Sequence, residues 1–164
     1  LTSADCASRF GIMNTLDKQF ATRLGIAALA PFVLLMLLCC VVPLEVAEFF
    51  VSAQLVYGIA ILGFVGGLHW GLSFISKERT VQDLKRDLLW GVVPVIVAWF
   101  SMAYISGAAF LVQMAAFIFS YQYDKRMYQR FDIPPWFVEL RFRLTSVVVA
   151  TQVLMFVIFT VRSN

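Results

Sequence analysis

The sequence predicts an all-α integral membrane bundle of five transmembrane helices with its N-terminus on the inner face. Three observations carry that prediction. Hydrophobic residues make up 61% of the 164 residues, and the mean hydropathy of +0.84 lies well above the range of a water-soluble domain. Five apolar runs follow one another: Leu24 to Val42, Val51 to Ile75, Leu88 to Ile105, Gly107 to Tyr123 and Leu144 to Val161. Each comes close to the ~20 residues that cross ~30 Å of hydrocarbon as a helix. Threaded alternately, the runs place the N-terminal segment, the 76–87 loop and the 124–143 segment on one face, with three, four and five basic residues. The other face holds Arg162 alone. That imbalance is the positive-inside pattern, so spans and orientation support each other.

The chain divides into an inner-face segment (residues 1–23), the bundle (24–161) and an outer-face tail (162–164). The start is Leu1 and not Met, and Ala4 to Phe20 contains Ser and Thr with few acids. Both features suit the remnant of a removed presequence. Cys6, Cys39 and Cys40 have no metal or redox spacing and read as small apolar filler. Eight of the ten acids accompany the basic residues on the inner face, and Glu45 and Glu48 mark the outer turn between the first two spans. A face so mixed in sign, directly beside membrane ends, suits anionic lipid headgroups rather than nucleic acid.

The second span is the richest. Gly63, Gly67 and Gly71 recur every four residues, a ridge of absent side chains that predicts close packing of a neighbouring helix. With Gly58 and Gly66 added, this span is expected at the centre of the bundle. His69, the single histidine, shares a helical stripe with Gly58, Gly66 and Ser73, distinct from that ridge. His69 and Ser73 form the candidate buried polar site: an ionisable group at membrane depth is expected to pair with a protein partner. The bland reading is a neutral imidazole that orients packing. One histidine without a second His, Cys or Glu near it predicts neither a metal nor a haem site.

In the third span Pro94 removes a helical hydrogen bond and predicts a kink, while Ser106-Gly107 predicts a tight outer hairpin into the fourth span. The other polar groups within spans, Gln54, Gln113, Thr151 and Gln152, are uncharged, as expected of links between helices. No Asp, Glu, Lys or Arg falls in the core of a predicted span, which argues against ion-coupled transport. Pro134 and Pro135 stop any continuation of the fourth helix, and Trp136 suits the headgroup interface. Arg141 and Arg143 then stand at the entry to the fifth span and, with Trp136, Lys85 and Arg86, are the predicted phospholipid contacts.

The stretch Phe64-Val-Gly-Gly-Leu-His-Trp-Gly71, preceded by Tyr57-Gly58, resembles a motif of the family of transmembrane protein sixty-nine and its bacterial relatives. Two further pieces match in order: Pro94 with Ala98-Trp99, and Pro135-Trp136-Phe137-Val138-Glu139-Leu140-Arg141 followed by Leu144-Thr145. Phe137 stands where a Tyr is common. The resemblance covers Leu24 to Val161 and implies a small protein of about five spans in a mitochondrial or bacterial inner membrane. It implies no activity, so His69 inherits a motif position and no mechanism.

Four functions follow as expectations. An accessory subunit of a mitochondrial inner-membrane assembly, such as a respiratory-chain complex or ATP synthase, fits the resemblance and the absence of a catalytic constellation, with other membrane subunits and phospholipids such as cardiolipin as partners. A stand-alone small-solute carrier or channel would use the His69 stripe. An assembly factor would appear only in partial assemblies. An enzyme is not expected, because no nucleophile–base pair is visible in the spacing, and no cofactor is expected.

Overall fold

The computed structural model describes residues 18–75, 80–104, 108–131 and 133–163. Cys6, Arg9, Lys77, Arg79, most of the presequence-like stretch and the Ser106-Gly107 hairpin lie outside them. The described residues form an all-helical membrane bundle: α1 (Lys18–Val41), α2 (Leu44–Ile75), α3 (Val81–Tyr104), α4 (Ala109–Arg130) and α5 (Pro135–Ser163). Of these, α1, α2 and α5 are long and apolar enough to cross a membrane by length and composition. Helices α3 and α4 also have the length but carry charged inner ends, and α3 keeps Pro94 inside the helix. Helix α2 packs against all four others, while α1 lies between α2 and α5 and α3 between α2 and α4.

Local chemistry sets the helix ends. Pro31 has no N–H to offer Ala27, so α1 makes a turn at Ala28–Leu29. The Tyr57 hydroxyl of α2 donates to the Ala28 carbonyl at 3.0 Å and stitches that turn to the bundle. Thr80 caps α3: its Oγ1 accepts from the Asp83 N–H at 3.2 Å and donates to Asp83 Oδ2 at 2.7 Å, a reciprocal capping arrangement. Helix α5 opens on Pro135, where a missing N–H costs nothing. At the other end Arg162 donates to the carbonyls of Cys39 and Val42, the latter at 2.6 Å. The lone outer-face arginine thus satisfies the last carbonyls of α1, at the end where the helix dipole favours a cation.

The close helix crossing is made by glycines, though not by the expected ridge. Among the described residues nothing lies within 4 Å of a Cβ added to Gly63, Gly67 or Gly71, and all three are exposed. Their packing role falls to the stripe one residue away, 100° around the helix. A Cβ on Gly66 would lie 1.9 Å from the Gly91 carbonyl oxygen of α3, and one on Gly58 would lie 2.3 Å from Gln113 Oε1 of α4. Sequence spacing identified a smooth face; it did not determine which smooth face meets protein. Each helix otherwise buries one regular stripe, such as Asp87, Gly91, Pro94, Ala98 and Ser101 on α3.

Candidate functional site

Helices α2 and α4 run parallel with a constant offset of 55 residues, Gly58 facing Gln113 and His69 facing Asp124. Helix α5 runs antiparallel to α4, so Arg141 meets Asp124 and Gln152 meets Gln113. Two polar layers result, eleven residues or about 16 Å apart on the same three helices. Between them lies an apolar plate that includes Leu62, Ala116, Phe117 and Val148.

The inner layer is ionic. Asp124 is fully buried, and its two oxygens are divided between partners. Oδ1 meets His69 Nε2, and Oδ2 accepts from Arg141 Nε at 3.0 Å and Nη2 at 2.5 Å. His69 is 1% exposed and Arg141 9%. Both guanidinium bonds end on Oδ2, which leaves Oδ1 to the His69 ring. Among the described residues, His69 Nδ1 and Ser73 Oγ are buried without a hydrogen-bond partner. All three ionic residues lie six positions from the inner ends of their helices, about 9 Å along the axis.

A second acid extends the layer toward α3. Asp87 is 1% exposed and accepts from the Tyr123 hydroxyl. The Tyr123 ring stacks on Trp90 at 5.2 Å and meets the His69 ring edge-on at 5.5 Å. Arg86 lies 3.8 Å from Asp87 and 2.8 Å from Asp83. With Trp90, Tyr123, Arg126 and Met127 it lines a recess of about 180 Å³.

These positions extend one sequence expectation and revise another. No charge falls within a predicted span, but the helices continue through the predicted span ends, and there Asp87, Asp124 and Arg141 are packed inside the bundle. The revised expectation is that Arg141 lies on lipid phosphates; it turns inward onto Asp124, which offers an anion without loss of packing. Arg143 stays exposed and pairs with Glu139 at 2.5 Å on its own helix. Lys85 is exposed, Trp136 half-buried, and Lys85 and Arg86 belong to α3, away from the α5 pair. The spacing gave no hint of Asp124, which falls one residue beyond the predicted fourth span. Its signal is the inward stripe Gln113, Phe117, Ser120 and Asp124, all buried at helical spacing.

The outer layer is neutral. Gln113 Nε2 donates to the Leu55 carbonyl at 2.8 Å, and Gln152 Nε2 donates to Gln113 Oε1. Gln54, next to Leu55 on α2, is fully buried, and both of its side-chain polar atoms lack a partner among the described residues.

Chemically, the inner layer brings together Ser73, His69 and Asp124, but no hydrogen bond joins Ser73 to His69. Neither of the two cavities described is lined by either residue. The arrangement pairs an imidazole and a guanidinium with one carboxylate. Among the described residues no three His, Cys, Asp or Glu side chains converge as metal ligands.

Comparison with known proteins agrees with this architecture. The chain is 36% identical over 140 residues to transmembrane protein 69 of Xenopus tropicalis, a match that covers 81% of this chain and 52% of that protein. The chain therefore spans about half the length of that relative. No solved structure matches. Residues 18–157, which include both polar layers, match the family described as "Protein of unknown function (DUF3429)", and the chain belongs to that family.

Proposed function

We propose that the protein is an accessory subunit of a larger mitochondrial inner-membrane assembly, a respiratory-chain complex or ATP synthase, with its N-terminus in the matrix. The observation that carries this reading is the unoccupied face of α2. Gly63, Gly67 and Gly71 are exposed, with no described residue within 4 Å of an added Cβ, and Phe64 and Phe74 beside them are 66% and 67% exposed. In lipid, a smooth face with bulky flanks is how a helix gains dispersion contact with a neighbour. The twelve-to-one distribution of basic residues supports the orientation. Native-gel mass spectrometry of digitonin-solubilised mitochondria tests the reading: the protein comigrates stoichiometrically with one large complex, and Gly67→Leu releases it while leaving the monomer folded. Migration alone, unchanged by Gly67→Leu, would reject it.

The buried ionic layer favours a second reading, a small-solute carrier or channel, because charges inside a membrane bundle commonly mark a solute or proton route. The apolar plate outside the His69 layer would have to open for transport. A pH-sensitive dye inside proteoliposomes tests it, with a flux abolished by His69→Gln as the required result.

A further inference from the structure

We propose that an anionic phospholipid of the inner leaflet threads one acyl chain into the cavity between α1, α2 and α5. This site borders the glycine face at Phe64 but includes none of its glycines, and it stands whether the protein works in an assembly or alone. The cavity has a volume of about 460 Å³, within the size range of small-molecule sites. Its lining runs from Ala21 to Phe32 on α1 and from Phe137 to Val148 on α5. Eleven residues of helix are about 16 Å, roughly half of a ~30 Å hydrocarbon core. The cavity thus follows the membrane normal for the depth of one leaflet, starting at the inner ends of both helices. Leu24 and Phe64 at its edge are 60% and 66% exposed, so a chain enters sideways from the bilayer.

The polar groups in the lining are Arg141 and Thr145, neighbours by one turn on α5. Arg141 gives Asp124 the N–H of Nε and one of Nη2 and meets the Tyr128 hydroxyl, which still leaves two of its five N–H groups for other acceptors. An ester carbonyl at the top of an acyl chain is an acceptor at that depth, and the Thr145 hydroxyl can donate to the same group. Lys18, exposed one turn inward of Ala21 on the same face of α1, supplies a cation at headgroup level for the phosphate. Hydrocarbon walls, donors at the ester level and a cation at the mouth recognise an anionic diacyl lipid with one chain inside.

The test is native mass spectrometry of the full chain released from nanodiscs of phosphatidylcholine with a minor fraction of phosphatidylglycerol. One phosphatidylglycerol per chain is expected to stay bound. Ala28→Phe, which fills the cavity from α1, should lower the retained fraction roughly tenfold. Ala60→Phe, the same change on the exposed face of α2 and outside the lining, should leave it unaltered. If Ala28→Phe does not fold, Thr145→Val decides, with retention falling about threefold on loss of one hydrogen bond. Equal retention in the parent and in whichever of the two variants folds overturns the proposal. So does retention of the two lipids in their nanodisc ratio. Displacement of the bound lipid by equimolar oleate also overturns it, in favour of a free fatty acid.

Discussion

The two polar layers use the same three helices and the same helical phase, yet one is ionic and the other made of amides. The ionic layer lies about 9 Å from the inner helix ends, the amide layer three turns further in. Near the inner face a carboxylate and a guanidinium can be brought in from water together, with His69 taking the carboxylate oxygen that Arg141 leaves. Deeper, the same register is filled by Gln113 and Gln152, which need no counter-charge. The difference teaches that register here is specified twice, and that the two specifications differ in what their loss costs.

The sharpest way to break the comparison is at its ionic end. Asp124→Ala strands the Arg141 charge inside the bundle and should destabilise by about 3–5 kcal/mol, read as a lowered melting temperature in detergent. Combining Asp124→Leu with Arg141→Met should recover most of that loss, since replacing both partners removes the uncompensated charge. A double variant no better than Asp124→Ala would show that the layer does more than balance itself.

Register can also be disturbed at the glycines. Gly66→Leu forces side-chain atoms against the Gly91 carbonyl and should cost roughly 1–3 kcal/mol or more. Gly67→Leu should leave the isolated monomer's melting temperature nearly unchanged, because its Cβ meets nothing. Smaller again is the amide layer: Gln113→Leu should cost about 1 kcal/mol, in line with hydrogen bonds between membrane helices. The smallest effect belongs to Arg143→Ala, whose exposed pair with Glu139 is worth roughly 0–1 kcal/mol and should fade with added salt.

Much of the fold could be read from the chain because it follows from water avoidance. Apolar runs, the break at Pro134-Pro135, and the glycine-rich second helix leave marks at fixed spacing, whereas the turn before Pro31 falls inside one unbroken apolar run. The site was harder. His69 stood out as a lone ionisable group, but Asp124, Asp87 and Arg141 sit where helices pass from lipid to headgroups, and there a run of hydropathy looks the same whether the next residue points in or out. What decides is helical phase extended past the apolar run: Gln113 to Asp124 and Gln152 to Arg141 are both eleven residues, three turns on one face. Phase also misassigned the glycines, since two smooth stripes one residue apart carry the same spacing, and only a partner helix distinguishes them.

The Arg162 cap bears on the order in which the bundle can close. Helix α1 precedes α5 in the chain, yet its final carbonyls accept from an arginine in the last turn of α5. Its flank against α5 cannot form until α5 has been made and inserted. Until then α1 has α2 as its neighbour, and docking of α5 closes the bundle and satisfies those carbonyls in one step.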